Sequence, residues 1–215
     1  MLVETNQGGD AVGATANVTS PHARPLPGSA LWPDFAFITL ATGSALSLFA
    51  QIGLITHLYS LLVPALGAEW AGLVMGVGTG AGMGGRMLVA WLMPAGADRR
   101  LVACASYAVQ IVGTLLLIAA AGANIPLLLA GVLLFGVGIG NVTSMPPLIA
   151  QVEFVKDDVS RVVALVVAIG QATYAFAPAI FGFIREFAGA GAVFGGAALV
   201  YLLAIAVLLV GRRRS

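Results

Sequence analysis

The sequence predicts an all-α integral membrane protein with six transmembrane helices. Six apolar segments fill residues 35 to 210, and the charged residues fall almost entirely between them. The 215-residue chain is 60% hydrophobic and only 9% charged, too apolar to face water on every side. The apolar runs do not alternate in polarity: Leu127-Leu128-Leu129-Ala130-Gly131-Val132-Leu133-Leu134 is continuous, which excludes a β-barrel pattern. A hydrocarbon crossing takes about 20 residues in a helix, because backbone groups in lipid must be satisfied within the segment.

Residues 1–32 are rich in Gly, Pro, Ser and Thr and lack a basic start followed by an apolar core. They read as a flexible tether, not a cleaved signal peptide. The spans are expected at about 35–57, 70–93, 101–121, 125–148, 162–184 and 190–210, within a membrane domain of residues 33–214.

The first span carries Gln51 and His57, about 9 Å apart along the axis and on different faces. His57 reads either as an interfacial histidine bonded to a neighbour or as a proton carrier or substrate contact. In the second span Gly72, Gly76, Gly80 and Gly84 recur every four residues, with Gly78 and Gly82 between; Gly136 and Gly140 repeat the spacing in the fourth. Small residues four apart let helix backbones approach closely. Arg86, near the inner end of the second span, either snorkels to the aqueous phase or pairs with Asp98, Asp157 or Asp158.

The fourth span holds Asn141, Thr143 and Ser144 before Pro146-Pro147, a double proline expected to break the helical ladder. It reads as a kink with interhelical hydrogen bonds, or as an opened backbone lining a cavity. In the fifth span Gln171 and Tyr174 are three apart and share a face, the preferred substrate contact. The sixth span has only Tyr201 as a polar side chain and is expected to be an outer, lipid-facing helix. No span interior contains a carboxylate.

Alternate gaps differ in basic residues. Arg24, then Arg99 and Arg100, then Lys156 and Arg161, then Arg212, Arg213 and Arg214 fall on one side; Arg185 alone falls on the other. The positive-inside bias puts both termini in the cytoplasm and the chain in the plasma (inner) membrane. A net charge of +1 implies no nucleic-acid partner, and one cysteine, Cys104, excludes an internal disulfide.

Several segments together resemble the major facilitator superfamily, specifically its C-terminal six-helix half, in branches near the monocarboxylate and oxalate/formate transporters. Phe49-Ala50-Gln51-Ile52-Gly53-Leu54-Ile55-Thr56-His57-Leu58 followed by Pro64 and Gly67 resembles that family's seventh helix. Gly85-Arg86, then Trp91-Leu92 and Asp98-Arg99-Arg100, resembles its signature between helices eight and nine; Gly136-Val137-Gly138-Ile139-Gly140 resembles helix ten, and Ala177-Pro178 with Phe181-Gly182 resembles helix eleven. Met93-Pro94 stand where the family's loop aspartate belongs, so a charge latch here would be rebuilt from Arg86, Asp98 and Arg99.

The resemblance implies two inverted three-helix repeats, half of a major facilitator fold, with residues 1–32 as the linker between halves. It implies transport of a small solute by alternating access, with Gln51, His57, Asn141, Gln171 and Tyr174 as substrate contacts. A second six-helix half or a self-dimer would complete the transporter. The absence of acids in the spans mildly favours an organic anion, with Arg86 and His57 to meet it. The alternatives are a remnant or membrane interaction protein without transport activity alone, and a membrane-embedded enzyme. The last is disfavoured: there is no Gly-x-Ser-x-Gly, and two histidines cannot build a metal cluster. Neither a metal nor another cofactor is expected.

Overall fold

The structure, a computed structural model, describes residues 25, 26, 28–94 and 96–212. Most of the expected tether lies outside these residues. Its described end is not loose. The Leu26 N–H donates to Asp158 Oδ2 (2.8 Å), and Arg161 donates to the carbonyls of Leu26 and Gly28. A 3-10 turn, Gly28–Leu31, then buries Leu31 in the bundle.

Six helices follow: α1 Phe35–Leu66, α2 Ala68–Leu92, α3 Arg99–Ala119, α4 Ile125–Glu153, α5 Lys156–Tyr174 and α6 Ala177–Arg212. There is no β-strand among the described residues. Three starts are fixed by side-chain caps, which satisfy N–H groups that have no partner in the first turn. Asp34 accepts from Phe37, Asp98 from Arg100 and Leu101, and Asn124 from Leu127. Gly67 separates α1 from α2 in one residue at φ 78°, a conformation glycine adopts without a Cβ penalty.

Three boundaries differ from expectation. The first span does not end near 57; α1 continues through Pro64 to Leu66, because the residues beyond His57 are still apolar and Leu58 and Leu62 pack in the core. The double proline does not break α4. The helix runs through Pro146-Pro147 to Glu153, held by Met145, Pro146, Ile149 and Ala150, which are all buried. Packing outweighs two missing N–H donors. The break falls instead inside the expected fifth span, at Ala175-Phe176, just before Pro178.

Five stretches are long and apolar enough to cross a membrane, and the last, Lys156–Arg212, is 57 residues long. As a straight helix it would reach about 85 Å. It folds back at Gly189, where φ is 82° and the backbone is not helical. Before Gly189, Phe181 lies against Phe49 and Gly53 at the middle of α1, and Arg185 bonds to Ser60 nearer its end. After it, Leu208 lies against Gly43 and Gly211 against Thr39, in the first half. The two arms of α6 therefore run in opposite directions along α1.

α1 packs on both α5 and α6, α3 packs on α4 and α6, and α2 packs chiefly on α4. The α2–α4 contact depends on glycine, though not on the expected row. Cβ atoms at Gly85, Gly136 and Gly140 would collide with backbone of the facing helix, and one at Gly78 would press on Val132. Gly72, Gly76, Gly80 and Gly84 meet nothing within 4 Å. At about 100° per residue, 78, 82 and 85 share the face of α2 turned to α4, and 72, 76, 80 and 84 lie on the opposite face. The expected glycine row instead faces outward, on the least covered helix: 17% of the most apolar stretch of α2 is buried.

Candidate functional site

The open side of α2 carries Trp70, Leu73, Val77, Met83, Met87 and Trp91, all exposed. At its edge stands Arg86. Its Nε donates to the Gly140 carbonyl (3.0 Å) and its Nη2 to Thr143 Oγ1 (3.2 Å). Gly140 has no Cβ, so the guanidinium can lie against the α4 backbone. Arg86 therefore bonds to α4, not to Asp98 as a rebuilt latch would have it. It remains exposed, as does Thr143.

On α5, Gln171 is exposed and Tyr174 half-buried at the last helical position, beside the break. The Gln171 backbone carbonyl accepts from Ala175, and the residue itself is on the open surface. His57 faces the first arm of α6, and its Nε2 lies 3.0 Å from the Pro178 carbonyl oxygen. A carbonyl only accepts, so Nε2 carries the proton and donates. Gly182 packs beside the ring, and a Cβ there would make ordinary van der Waals contact with it.

Gln51 and Asn141 are not on an open surface. Both are buried, at 4% and 1% exposure. Gln51 Oε1, Asn141 Oδ1 and Gln110 Nε2 have no hydrogen-bond partner among the described residues. Nearby helices contribute a buried polar layer: Ser47 donates to the Tyr107 hydroxyl (3.0 Å), and Tyr201 donates to Gln110 Oε1. Tyr201 is fully buried, so the second arm of α6 is not simply an outer helix. One face packs inward through Tyr201, Ala204 and Leu208, and the other exposes Leu199, Leu202 and Leu203. The five expected substrate contacts thus do not converge on one pocket within this chain. Gln171 and Tyr174 lie toward an open face, His57 is engaged with α6, and Gln51 and Asn141 are interior.

The strongest electrostatic feature is one the sequence reading passed over. Arg100, 1% exposed, makes two bonds to Glu153: Nε to Oε1 at 2.5 Å and Nη2 to Oε2 at 2.7 Å. It also donates to Thr39 Oγ1 (3.0 Å) and to the carbonyls of Ala36 (3.0 Å) and Leu208 (3.3 Å). A planar guanidinium with five N–H groups can tie four helices in this way. The available signal was the Arg99-Arg100 pair opening α3 and a lone Glu153 at the far end of α4.

Asp98 does two jobs beside it. It caps α3 and forms an ion pair with Arg212 of α6. Partial burial pushes its carboxyl upward. The Arg212 bond, the N–H groups of Leu101 and Arg100 and the Arg212 charge outweigh this and hold it below the ordinary value. Arg99 is half-buried, and its side chain makes no hydrogen bond or ion pair among the described residues.

No family model matches the chain, and no curated protein matches its sequence. Solved structures do match. One is the POT family transporter PepTSo, crystallised in meso, with a TM-score of 0.67 and 16% identity. Another is an auto-inhibited POT family peptide transporter, with a TM-score of 0.65 and 18% identity. Each alignment covers 83% of this chain and 37% of the other. The chain shares the fold of part of these POT family transporters. It spans little more than a third of the length of the transporters it matches.

Proposed function

We propose that this chain is a half-transporter that moves a small solute, an organic anion by preference, by alternating access. One observation carries the reading: a fold seen within larger transporters here leaves α2 uncovered, with outward glycines at 72, 76, 80 and 84 and Arg86 at its edge. Bare helix backbone invites close approach of another helix. A second half of similar size, from a separate chain or a second copy, would cover it and enclose a path lined by Arg86, Thr143, Gln171 and Tyr174. In this reading the two arms of α6 are separate crossings, giving six in two inverted triplets.

The cytoplasmic end is the one holding Arg99, Arg100, Lys156, Arg161 and Arg212, with the plasma (inner) membrane as the site of residence. One of the similar solved structures is described as a peptide transporter. A peptide presents an ammonium as well as a carboxylate. On the open side of α2 the cation, Arg86, lies well inside the span, whereas the carboxylate, Glu69, stands in the first turn at the helix end; a cation alone within the path favours a simple anion. His57, Gln51 and Asn141 then act from behind the path, as groups whose bonds change when the helices rearrange. The test is uptake of labelled small organic anions into proteoliposomes holding this chain, alone or with a second six-helix chain. Uptake above protein-free vesicles is expected in at least the paired case. No uptake in either case would refute transport and leave the reading of a remnant or membrane interaction protein.

A further inference from the structure

At the end of the bundle opposite Arg100 and Glu153 lies a cavity of about 400 Å³. It is a partly open cleft bordered by the end of α1, the end of α3 and the α3–α4 connection, the start of α4 and both arms of α6 around Gly189. Its walls are chiefly apolar, including Leu61, Leu62, Leu117, Leu128 and Phe194. Its size is in the range of roughly 300–1,000 Å³ typical of small-molecule sites.

Two polar side chains interrupt this lining, Ser60 and Arg185. Arg185 Nη1 donates to Ser60 Oγ at 2.5 Å. A guanidinium has five N–H donors, and the others on Arg185 have no partner among the described residues. The adjacent Glu186 is exposed and does not line the cavity; neighbours one apart on a helix do not share a face. Ala190 and Gly191, the first residues of the second α6 arm, complete the wall. The positive end of that arm's dipole is therefore directed at the same space.

We propose that this cavity binds an anionic amphiphile, with its acidic headgroup on Arg185 and Ser60 and its alkyl chain along the leucines and Phe194. A bare anion would leave the apolar walls wet. A neutral chain would leave the guanidinium donors unused beside hydrocarbon. An acidic head on an alkyl tail satisfies both. The shared chemistry fits either a membrane phospholipid or a free alkyl phosphate or carboxylate.

The whole chain in nanodiscs of phosphatidylcholine with a minor fraction of phosphatidylglycerol provides the test, with retained lipids counted by native mass spectrometry. Preferential retention of phosphatidylglycerol is expected. Arg185→Gln lowers that preference by about tenfold or more, the scale of a lost charge-assisted bond. Gly191→Leu adds a side chain at the cavity wall; a Cβ there meets nothing within 4 Å, so the backbone has room for it, and lower lipid retention is expected. Displacement by dodecyl phosphate identifies a free amphiphile as an occupant; retention of phospholipid against it identifies the membrane lipid. Equal retention of both phospholipids by the unaltered chain would overturn the proposal. So would unchanged retention in Gly191→Leu, which decides the matter even where Arg185→Gln fails to fold. Displacement by inorganic phosphate as effective as by dodecyl phosphate would also overturn it, since the tail would then contribute nothing.

Discussion

Replacing Glu153 by Gln leaves the Arg100 charge buried without its counter-ion. Arg100 and Glu153 side chains are 2% and 14% exposed, so water can reach the carboxylate edge but scarcely the guanidinium. Two unit charges about 4 Å apart attract by about 4 kcal/mol at an effective dielectric of about 20. Removing one member of a buried pair costs about 3–5 kcal/mol, because the other charge remains desolvated. Thr39 Oγ1 and the carbonyls of Ala36 and Leu208 still accept from Arg100, which holds the loss toward the lower end. For a domain of this size each kcal/mol moves the midpoint by roughly 2–4 °C, so a fall of at least about 6 °C is expected. The assay is thermal unfolding of the purified chain in a mild detergent, with Glu69→Gln, at an exposed helix start, as control. A shift for Glu153→Gln no larger than that control would refute the buried-pair reasoning. Arg100→Lys should be nearly as damaging, since a single ammonium cannot reach five acceptors on three other helices.

Gly85→Ala should destabilise by about 1–3 kcal/mol, because its Cβ would collide with the Val137 carbonyl and force α2 off α4. Gly84→Ala, one residue away in open space, should be neutral or stabilising by up to about 1 kcal/mol, and the same unfolding assay compares them. Asp98 is held below its ordinary pKa of 3.8, so its ionised form contributes stability above that pH, which is lost as pH falls through the lower folded value. Asp98→Asn should flatten the acid limb of a stability-against-pH profile below about pH 4, and an unchanged limb would remove Asp98 as its source. In proteoliposomes, Arg86→Gln and Gln171→Ala should each slow anion uptake about tenfold while insertion and yield stay normal; unchanged kinetics would take that residue out of the path.

Much of the helical layout was legible because it rests on local quantities. Length, apolar content and capping residues act within one segment, and Asp34, Asp98 and Asn124 stand where helices begin. The candidate site was legible only as a set of polar residues in apolar spans. Gln51 and Gln171 look alike in sequence, yet one is buried and the other exposed. That difference depends on which helix lies opposite.

The sequence by itself determined that the chain is helical, apolar enough for lipid and asymmetric in charge, because each of these follows from composition along one segment. Tertiary structure decided which glycines carry the α2–α4 contact, that α4 survives two prolines and that the chain reverses at Gly189. It also placed Tyr201 in the core and joined Arg100 to Glu153. The bonds of Arg100 to Glu153 and of Tyr201 to Gln110 join residues 53 and 91 positions apart. Such partners are chosen by the packing of whole helices, and no local pattern encodes them.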